Sequence, residues 1–399
     1  MKSLVHGGVI GLVFGLGALL NMSQAPVSGG AERQRALQCE QSGDAAGAEA
    51  AWHAILKSHP SDAEANAHIG LLEARQERFE EALPYYRNAL AIDPGMPGLR
   101  LNLGLSQFKT GDLKGALKNF EILLKQEPPS SPEAVRLTTL TGLARFGLGD
   151  YAAAVPHLKK AADADPQNLP FRLALAQSCL WSKQYECVLD VYKEIVTLNA
   201  ESAEADMLAG QAYDEMKNDA GALEQFQAAV KADPSFPNVH FGYGYLLWRQ
   251  LRFEEAKQEF KAELANNPEQ AQALTFLGDT EIHLGHPEAA PSLLNQALRI
   301  DPAIAMAHLD LGIVYGDQGR NEDAVRELKA AAALTADDPN IHWRLGRLYQ
   351  AAGMKAEAKV EFDKTRSLQK ASDDSVFNRL HPAQAGSPQN ATSGAQRVK

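Results

Sequence analysis

The sequence predicts an all-α protein built as an α-solenoid of antiparallel helix pairs. The main observation is a period of about 34 residues, at which glycine, alanine and proline return along most of the 399-residue chain. A fixed period of this length is typical of stacked helical hairpins. The recurring residues are Gly70, Gly104, Gly142, Gly210, Gly244, Gly278, Gly312 and Gly346; Ala82, Ala116, Ala154, Ala222, Ala256, Ala290, Ala324 and Ala358; and Pro60, Pro94, Pro128, Pro166, Pro234, Pro268 and Pro302.

One repeat shows how each hairpin is expected to fold. From Ala203 a first helix carries Gly210, and a second helix carries Ala222 and Phe226 on an apolar stripe at helical spacing. Pro234 ends the second helix because proline lacks an amide donor and disfavours helical geometry in the preceding residue. Small residues at the crossing allow the two helices to approach closely.

These positions resemble the tetratricopeptide repeat. The matching residues are Leu345-Gly346, Tyr349, Ala358 and Phe362 in one repeat, and Leu277-Gly278, Ala290, Ala297 and Pro302 in another. The resemblance implies a right-handed superhelical solenoid. It divides residues 29–372 into ten repeats, near 29–62, 63–96, 97–130, 135–168, 169–202, 203–236, 237–270, 271–304, 305–338 and 339–372.

Two neighbouring irregularities interrupt the period. Four extra residues lie between the third and fourth repeats, around the three prolines of 128–132, and we expect a bend or a register shift there. In the fifth repeat Ala176 replaces the glycine, Val188 the alanine and Ala200 the proline. Ordinary drift explains this loss, and a functional site that breaks local rules is the alternative.

The two ends of the chain differ from the repeats. Residues 1–28 contain an apolar stretch from Gly7 to Leu20, which suits a secretory signal peptide or a signal anchor. Either would place the repeats outside the cytoplasm, in the periplasm or cell envelope or in the medium. Residues 373–399 lose the repeat and are expected to be a disordered tail, or one that partly caps the last hairpin through Ser375–Leu380.

Charge and cysteine content restrict the function further. A net charge of −11 argues against nucleic-acid binding, which needs a basic face. The three cysteines, Cys39, Cys179 and Cys187, do not form a regular disulfide framework. A bond between Cys179 and Cys187 within one hairpin stays open beside the alternative that both are small buried apolar residues.

The sequence shows no catalytic motif, and we expect no enzyme, no cofactor and no metal site. It contains no phosphate-binding loop, paired Cys-x-x-Cys or nucleophile elbow. His240, His308 and His342 occupy equivalent positions in three repeats and are interpreted as half-buried packing residues.

The resemblance implies that the first helix of each repeat lines a concave groove in which partners bind. Mapping that face onto this chain gives apolar, aromatic and basic side chains of the kinds that anchor protein partners. For each of them, packing between adjacent helices is the alternative to exposure in the groove. The predicted groove residues are Leu101, Leu105, Phe108, Phe146, Trp181, Phe241, Tyr245, Trp248 and Arg249.

The sequence therefore predicts a non-enzymatic scaffold or adaptor that binds an apolar or aromatic segment of another protein, with or without basic flanks. Membrane contact is expected only through an uncleaved N-terminal segment. The alternative is a glycan-binding or regulatory subunit of polysaccharide synthesis or export, in which the aromatic side chains would stack on sugars.

Overall fold

The computed structural model describes residues 30–199 and 202–380, and within these ranges the regular secondary structure is α-helical without any strand. The all-α fold class is thereby confirmed. The described residues form two compact units, which meet in sequence between residues 225 and 226. In the first unit lie α1 Gly30–Ser42, α2 Ala45–Ser58, α3 Ala63–Arg75, α4 Phe79–Ile92, α5 Leu99–Lys109, α6 Leu113–Leu124, α7 Pro132–Gly147, α8 Tyr151–Ala164, α9 Leu169–Trp181, α10 Tyr185–Asn199 and α11 Ala203–Glu215.

The next helix, α12 Asp219–Ala232, contains the boundary between the units. Successive helices pair as hairpins, each with a first and a second helix. The second unit then holds α13 Val239–Arg249, α14 Phe253–Asn266, α15 Ala271–His283, α16 Ala290–Ile300, α17 Ala305–Asp317, α18 Asn321–Leu334, α19 Pro339–Ala351 and α20 Lys355–Leu380.

A residue in the left-handed conformation closes the turn inside each hairpin of the described ranges. It stands at the same repeat position each time and reverses the chain after the first helix. Glycine adopts this conformation without a steric penalty, yet four of the hairpins use another residue there. The turn residues are Gly43, Glu77, Gly111, Gly149, Lys183, Lys217, Leu251, Gly285, Gly319 and Gly353.

The periodic glycines lie where the two helices of a hairpin cross. In the first unit, a Cβ added to Gly70 would lie 2.8 Å from the ring of Tyr86. In the second unit, a Cβ added to Gly346 would lie 2.7 Å from the ring of Phe362. The missing side chain therefore lets a large residue of the second helix pack directly against the first helix.

The extra residues between the third and fourth repeats are absorbed locally. Helix α7 begins at Pro132 and has 16 residues, and the hydroxyl of its N-cap Ser131 accepts a hydrogen bond from the amide of Ala134. One hydrophobic core runs through this region, from Leu101 in α5 to Ala212 in α11. The added residues do not interrupt that core, because they lengthen a loop and a helix.

The fifth repeat forms an ordinary hairpin in spite of its altered sequence. Ala176 and Val188 are both buried in the core, at the positions of the periodic glycine and alanine. A disulfide joins Cys179 in α9 to Cys187 in α10, which decides between the two alternatives left open for these cysteines. The thiol of Cys39 is free and half-buried.

A histidine links the two helices in three hairpins of the second unit. Nδ1 of His240 lies 2.6 Å from a carboxylate oxygen of Glu259. The same contact joins His342 to Glu361 at 2.7 Å and His308 to Glu327 at 2.8 Å. His240 and His342 are buried and His308 is half-buried, so each is a packing residue that also makes a hydrogen bond across its hairpin.

The last helix extends beyond the repeats. Helix α20 continues unbroken to Leu380, so the backbone of 373–380 prolongs the last hairpin and does not turn back over it. The predicted tail beyond residue 380 and the predicted signal segment, residues 1–28, lie outside the described residues. Among the helices of the described ranges, none is both long enough and apolar enough to cross a membrane.

Candidate partner-binding surface

Several of the predicted groove residues lie in the core. In the first unit Leu101, Phe108 and Phe146 are buried in the core that runs from α5 to α11, and Leu105 packs half-buried against it. In the second unit Phe241 is buried as well. The sequence pattern places these residues on first helices, but neighbouring hairpins cover their side chains.

Trp181 is the exposed end of a chain of aromatic contacts in the first unit. Its side chain is 38% exposed and stacks on Tyr151 at a centroid distance of 6.2 Å. Tyr151 in turn meets the ring of Phe146 edge-on at 5.8 Å. Trp181 is therefore held by ring contacts that lead back to the core, and its exposed side chain lies at the C-terminal end of α9.

The second unit brings the remaining predicted aromatic residues together. Tyr245 and Trp248, one turn apart on α13, have nearly parallel rings with centroids 6.1 Å apart and an angle of 18°. Phe276 on α15 stands almost perpendicular to both, 5.3 Å from Tyr245 and 5.0 Å from Trp248. Because all three rings are half-buried, they form an aromatic surface with one side in the protein.

Phe241 and Phe260 support this aromatic surface from within. The ring of Phe276 lies 5.8 Å from Phe241 and 5.8 Å from Phe260, both of which are buried. The contacts fix the position of Phe276, and through it the positions of Tyr245 and Trp248. Arg249, the last residue of α13 and the remaining predicted groove residue, is half-buried.

A carboxylate adjoins the aromatic surface on α15. The indole Nε1 of Trp248 donates a hydrogen bond to Oδ2 of Asp279 at 2.5 Å. Nε2 of His283, one turn further along α15, lies 3.6 Å from the same oxygen. Burial raises the pKa of Asp279, while the indole bond and the nearby imidazole act in the opposite direction.

A second buried carboxyl group follows on α17. Asp310 is 6% exposed, and its Oδ2 has no hydrogen-bond partner among the described residues. Burial, with a smaller contribution from the charge of Asp279, raises the pKa of Asp310 to about 8, and Arg344 opposes this shift. At neutral pH this group is therefore mostly protonated.

An exposed aromatic and basic area occupies α19. The side chain of Trp343 is 42% exposed, and the guanidinium carbon of Arg347 lies 5.1 Å from its ring centroid. Arg344, between them in sequence, is half-buried. The end of the second unit thus offers a cationic group and an indole ring to solvent.

Sequence reasoning missed several residues of these surfaces, namely Phe276, Asp310, Trp343, Arg344 and Arg347. A signal for three of them was present, because Phe276, Asp310 and Arg344 are spaced by one repeat period and so occupy one position of successive first helices. A comparison of the same repeat position in successive repeats would have grouped these three residues, whereas the pattern of each single helix does not.

In the described part of the chain, no group of three or more histidine, cysteine, aspartate or glutamate side chains is arranged to hold a metal ion. The carboxyl group of Asp279 adjoins the indole ring of Trp248, and that of Asp310 interacts electrostatically with Arg344.

Comparisons with known proteins identify the repeats. A family model described as "Tetratricopeptide repeat" matches residues 40–97, 101–168, 189–237 and 241–303, which is more than half of the chain. A second, described as "TPR repeat", matches residues 314–353.

Two curated relatives illustrate the range of similar proteins. The chain is 25% identical to "Protein CTR9 homolog" of Arabidopsis thaliana over 69% of its own length and 26% of the relative. It is 22% identical to "TPR repeat-containing protein YpiA" of Bacillus subtilis over 55% of its own length and 52% of the relative. The chain thus spans about half or less of the length of these relatives.

Solved structures of low sequence identity are also similar. One, titled "Crystal structure of APC/C hetero-tetramer Cut9-Hcn1", is 12% identical with a TM-score of 0.42 and covers 89% of this chain and 91% of its own. Another, titled "Crystal structure of YrrB: a TPR protein with an unusual peptide-binding site", is 18% identical with a TM-score of 0.39 and covers 47% of this chain and 97% of its own.

Proposed function

The chain belongs to the tetratricopeptide repeat family, and on that premise we propose that it is a non-enzymatic scaffold that binds a segment of another protein on the first helices of its second unit. The observation that carries this proposal is the aromatic surface of Tyr245, Trp248 and Phe276 beside Asp279. Aromatic side chains on a rigid support are among the residues that most often dominate binding energy at protein interfaces.

The chemistry of the surface defines the partner segment. The three rings would accept an aliphatic or aromatic side chain, since each keeps part of its surface accessible. The carboxyl group of Asp279 would favour a basic residue next to that side chain, and Asp310 would release its proton beside such a charge. The net charge of −11 would also attract a basic segment over a longer range.

We also propose an extracytoplasmic location, in the periplasm, in the cell envelope or in the medium. The apolar stretch within residues 1–28 supports it at the level of sequence. The disulfide between Cys179 and Cys187 supports it independently, because such bonds persist in oxidising compartments and are rare in the cytosol.

The experiment for the proposed function is capture of the partner in cells. The full-length protein carries a C-terminal tag, is crosslinked in its native host, and its partners are identified by mass spectrometry. We expect one dominant protein, whose recovery falls about tenfold or more in Trp248→Ala because an aromatic anchor is lost.

Tyr243→Ala is the matched control, because Tyr243 lies on the same helix but beside the charges of Glu259 and Arg252. Thermal denaturation of both variants separates binding from folding, and Phe241 is not used because its side chain belongs to the core. Equal loss of the partner in both variants contradicts the proposal. Recovery of glycan without protein would favour the polysaccharide alternative.

A further inference from the structure

Arg347 on α19 differs from several other arginines of the second unit, because it has no ion-pair partner among the described residues. Arg320 and Arg326 each form ion pairs with Asp323, and Arg252 pairs with Glu255. By contrast, no carboxylate of the described residues lies within ion-pair distance of the Arg347 guanidinium, which rests on the exposed ring of Trp343. This guanidinium is therefore available to an anionic group from outside.

The repeat period places Arg347 in line with the aromatic surface. Tyr245, Asp279, Ile313 and Arg347 follow one another at the repeat period, so they occupy one position on α13, α15, α17 and α19. Each of these helices contacts the next first helix. The row of side chains is thus aromatic, acidic, aliphatic and basic in that order, and we call it the charge row.

We propose that the charge row binds its partner segment in one direction only, with a basic side chain above the buried carboxyl group of Asp279 on α15 and an acidic side chain beside the exposed Arg347 on α19. This inference rests on the proposed function and adds the chemistry and orientation of the segment. Half-buried Ile313 lies between the two charges and suits an apolar residue in the middle of the segment.

The spacing of the helices gives the spacing of the charges. Packed helices lie about 8–10 Å apart, so α15 and α19, separated by α17, are about 16–20 Å apart. An extended chain advances about 3.3–3.6 Å per residue. The basic and acidic residues of an extended partner should therefore stand about five or six positions apart.

The negative net charge of the protein makes the selection of an acidic residue in the bound peptide a specific test of the contact with Arg347. With a net charge of −11, the long-range field repels acidic peptides. An acidic residue selected at a fixed distance from a basic one would therefore reflect a local contact, for which the exposed guanidinium of Arg347 is the candidate.

The test is selection of random dodecapeptides displayed on phage against the immobilised full-length protein. We expect enriched peptides with an apolar or aromatic residue, a lysine or arginine, and an aspartate or glutamate about five or six positions away, always in the same order. Enrichment without this charge order overturns the inference and leaves the proposed function standing. If the wild-type protein enriches no peptide relative to the Trp248→Ala variant, the result contradicts both the inference and the proposed function.

Two variants test whether Arg347 causes the selection of an acidic residue in the peptide. Arg347→Glu should weaken the selected peptide about three- to tenfold and should remove the acidic residue from a repeated selection. Arg299→Glu makes the same charge change at an exposed position of α16, a second helix, and should alter affinity by less than about twofold. Equal effects of the two variants would show a general charge effect and overturn the inference.

Asp279→Asn tests the other end of the row, since the amide oxygen still accepts the bond from Trp248 while the charge is removed. We expect a repeated selection to lose its preference for lysine and arginine. Unchanged basic residues in that selection would also overturn the proposed orientation.

Discussion

At the scale of the residue, the main feature is the carboxyl group of Asp310, which is buried without a partner for its Oδ2 among the described residues. Folding raises its pKa from the ordinary 3.8 to about 8, chiefly through burial. The folded protein therefore holds more protons at this group than the unfolded chain does between these two pKa values. Its presence makes the unfolding free energy fall as the pH rises through that range.

Asp310→Asn should remove this dependence, because an amide does not titrate. Between acidic pH and about pH 8, the unfolding free energy of the variant should rise relative to that of wild type by roughly 5 kcal/mol. Chemical denaturation at a series of pH values measures the difference. Asp317→Asn, which removes a carboxyl group at an exposed position of the same helix, serves as the control.

Phe241 and Trp248 show that the sequence predicts the helix on which an aromatic residue lies but not the exposure of its side chain. Phe241 and Trp248 lie two turns apart on α13, and the resemblance predicted both for the groove. Phe241 is buried because Phe260 and Phe276 pack around it, whereas Trp248 keeps an exposed part. The difference comes from side chains of the next helices, which the pattern of α13 itself does not contain.

At the scale of the element, each hairpin depends on the close approach of its two helices. Helix α17 offers a matched pair of glycines for measuring this. A Cβ on Gly312 would lie 2.6 Å from Cγ of Leu328, whereas one on Gly316 would meet nothing closer than 3.6 Å.

Gly312→Ala should lower the unfolding free energy by about 1–3 kcal/mol, because Leu328 must move and the crossing becomes overpacked. Gly316→Ala should raise it by up to about 1 kcal/mol, because alanine favours the helix and fits the space. Urea denaturation of both variants provides the comparison. If both substitutions stabilise the protein, the close-approach explanation of the periodic glycines is wrong.

The fifth hairpin has a covalent link where its periodic residues have changed. The Cys179–Cys187 bond joins residues 8 positions apart. Its reduction should lower the unfolding free energy by about 2 kcal/mol, because the unfolded chain gains conformational entropy when the bond is broken. Denaturation with and without reductant measures this loss. A Cys187→Ser protein should be insensitive to reductant, whereas Cys39→Ser should respond as wild type does.

At the scale of the whole molecule, the N-terminal segment and the disulfide support the same location. If the chain is exported through a cleaved signal, the mature protein should begin between about residue 26 and residue 31, after the apolar stretch. Intact mass of the protein isolated from cell fractions, without reductant, reports both the cleavage and the disulfide. A reduced, uncleaved chain in the cytosolic fraction would contradict the proposed location.

The sequence by itself determined the all-α array of helical hairpins. This was possible because glycine, alanine and proline at the repeat period reflect contacts within one hairpin, where helical geometry relates positions near in sequence. Only the tertiary structure decided that Phe241 is core while Trp248 is half-exposed, that Cys179 and Cys187 are bonded, and that Asp310 is buried. Exposure and electrostatic environment depend on side chains one or two repeats away, and the pattern of a single repeat does not specify them.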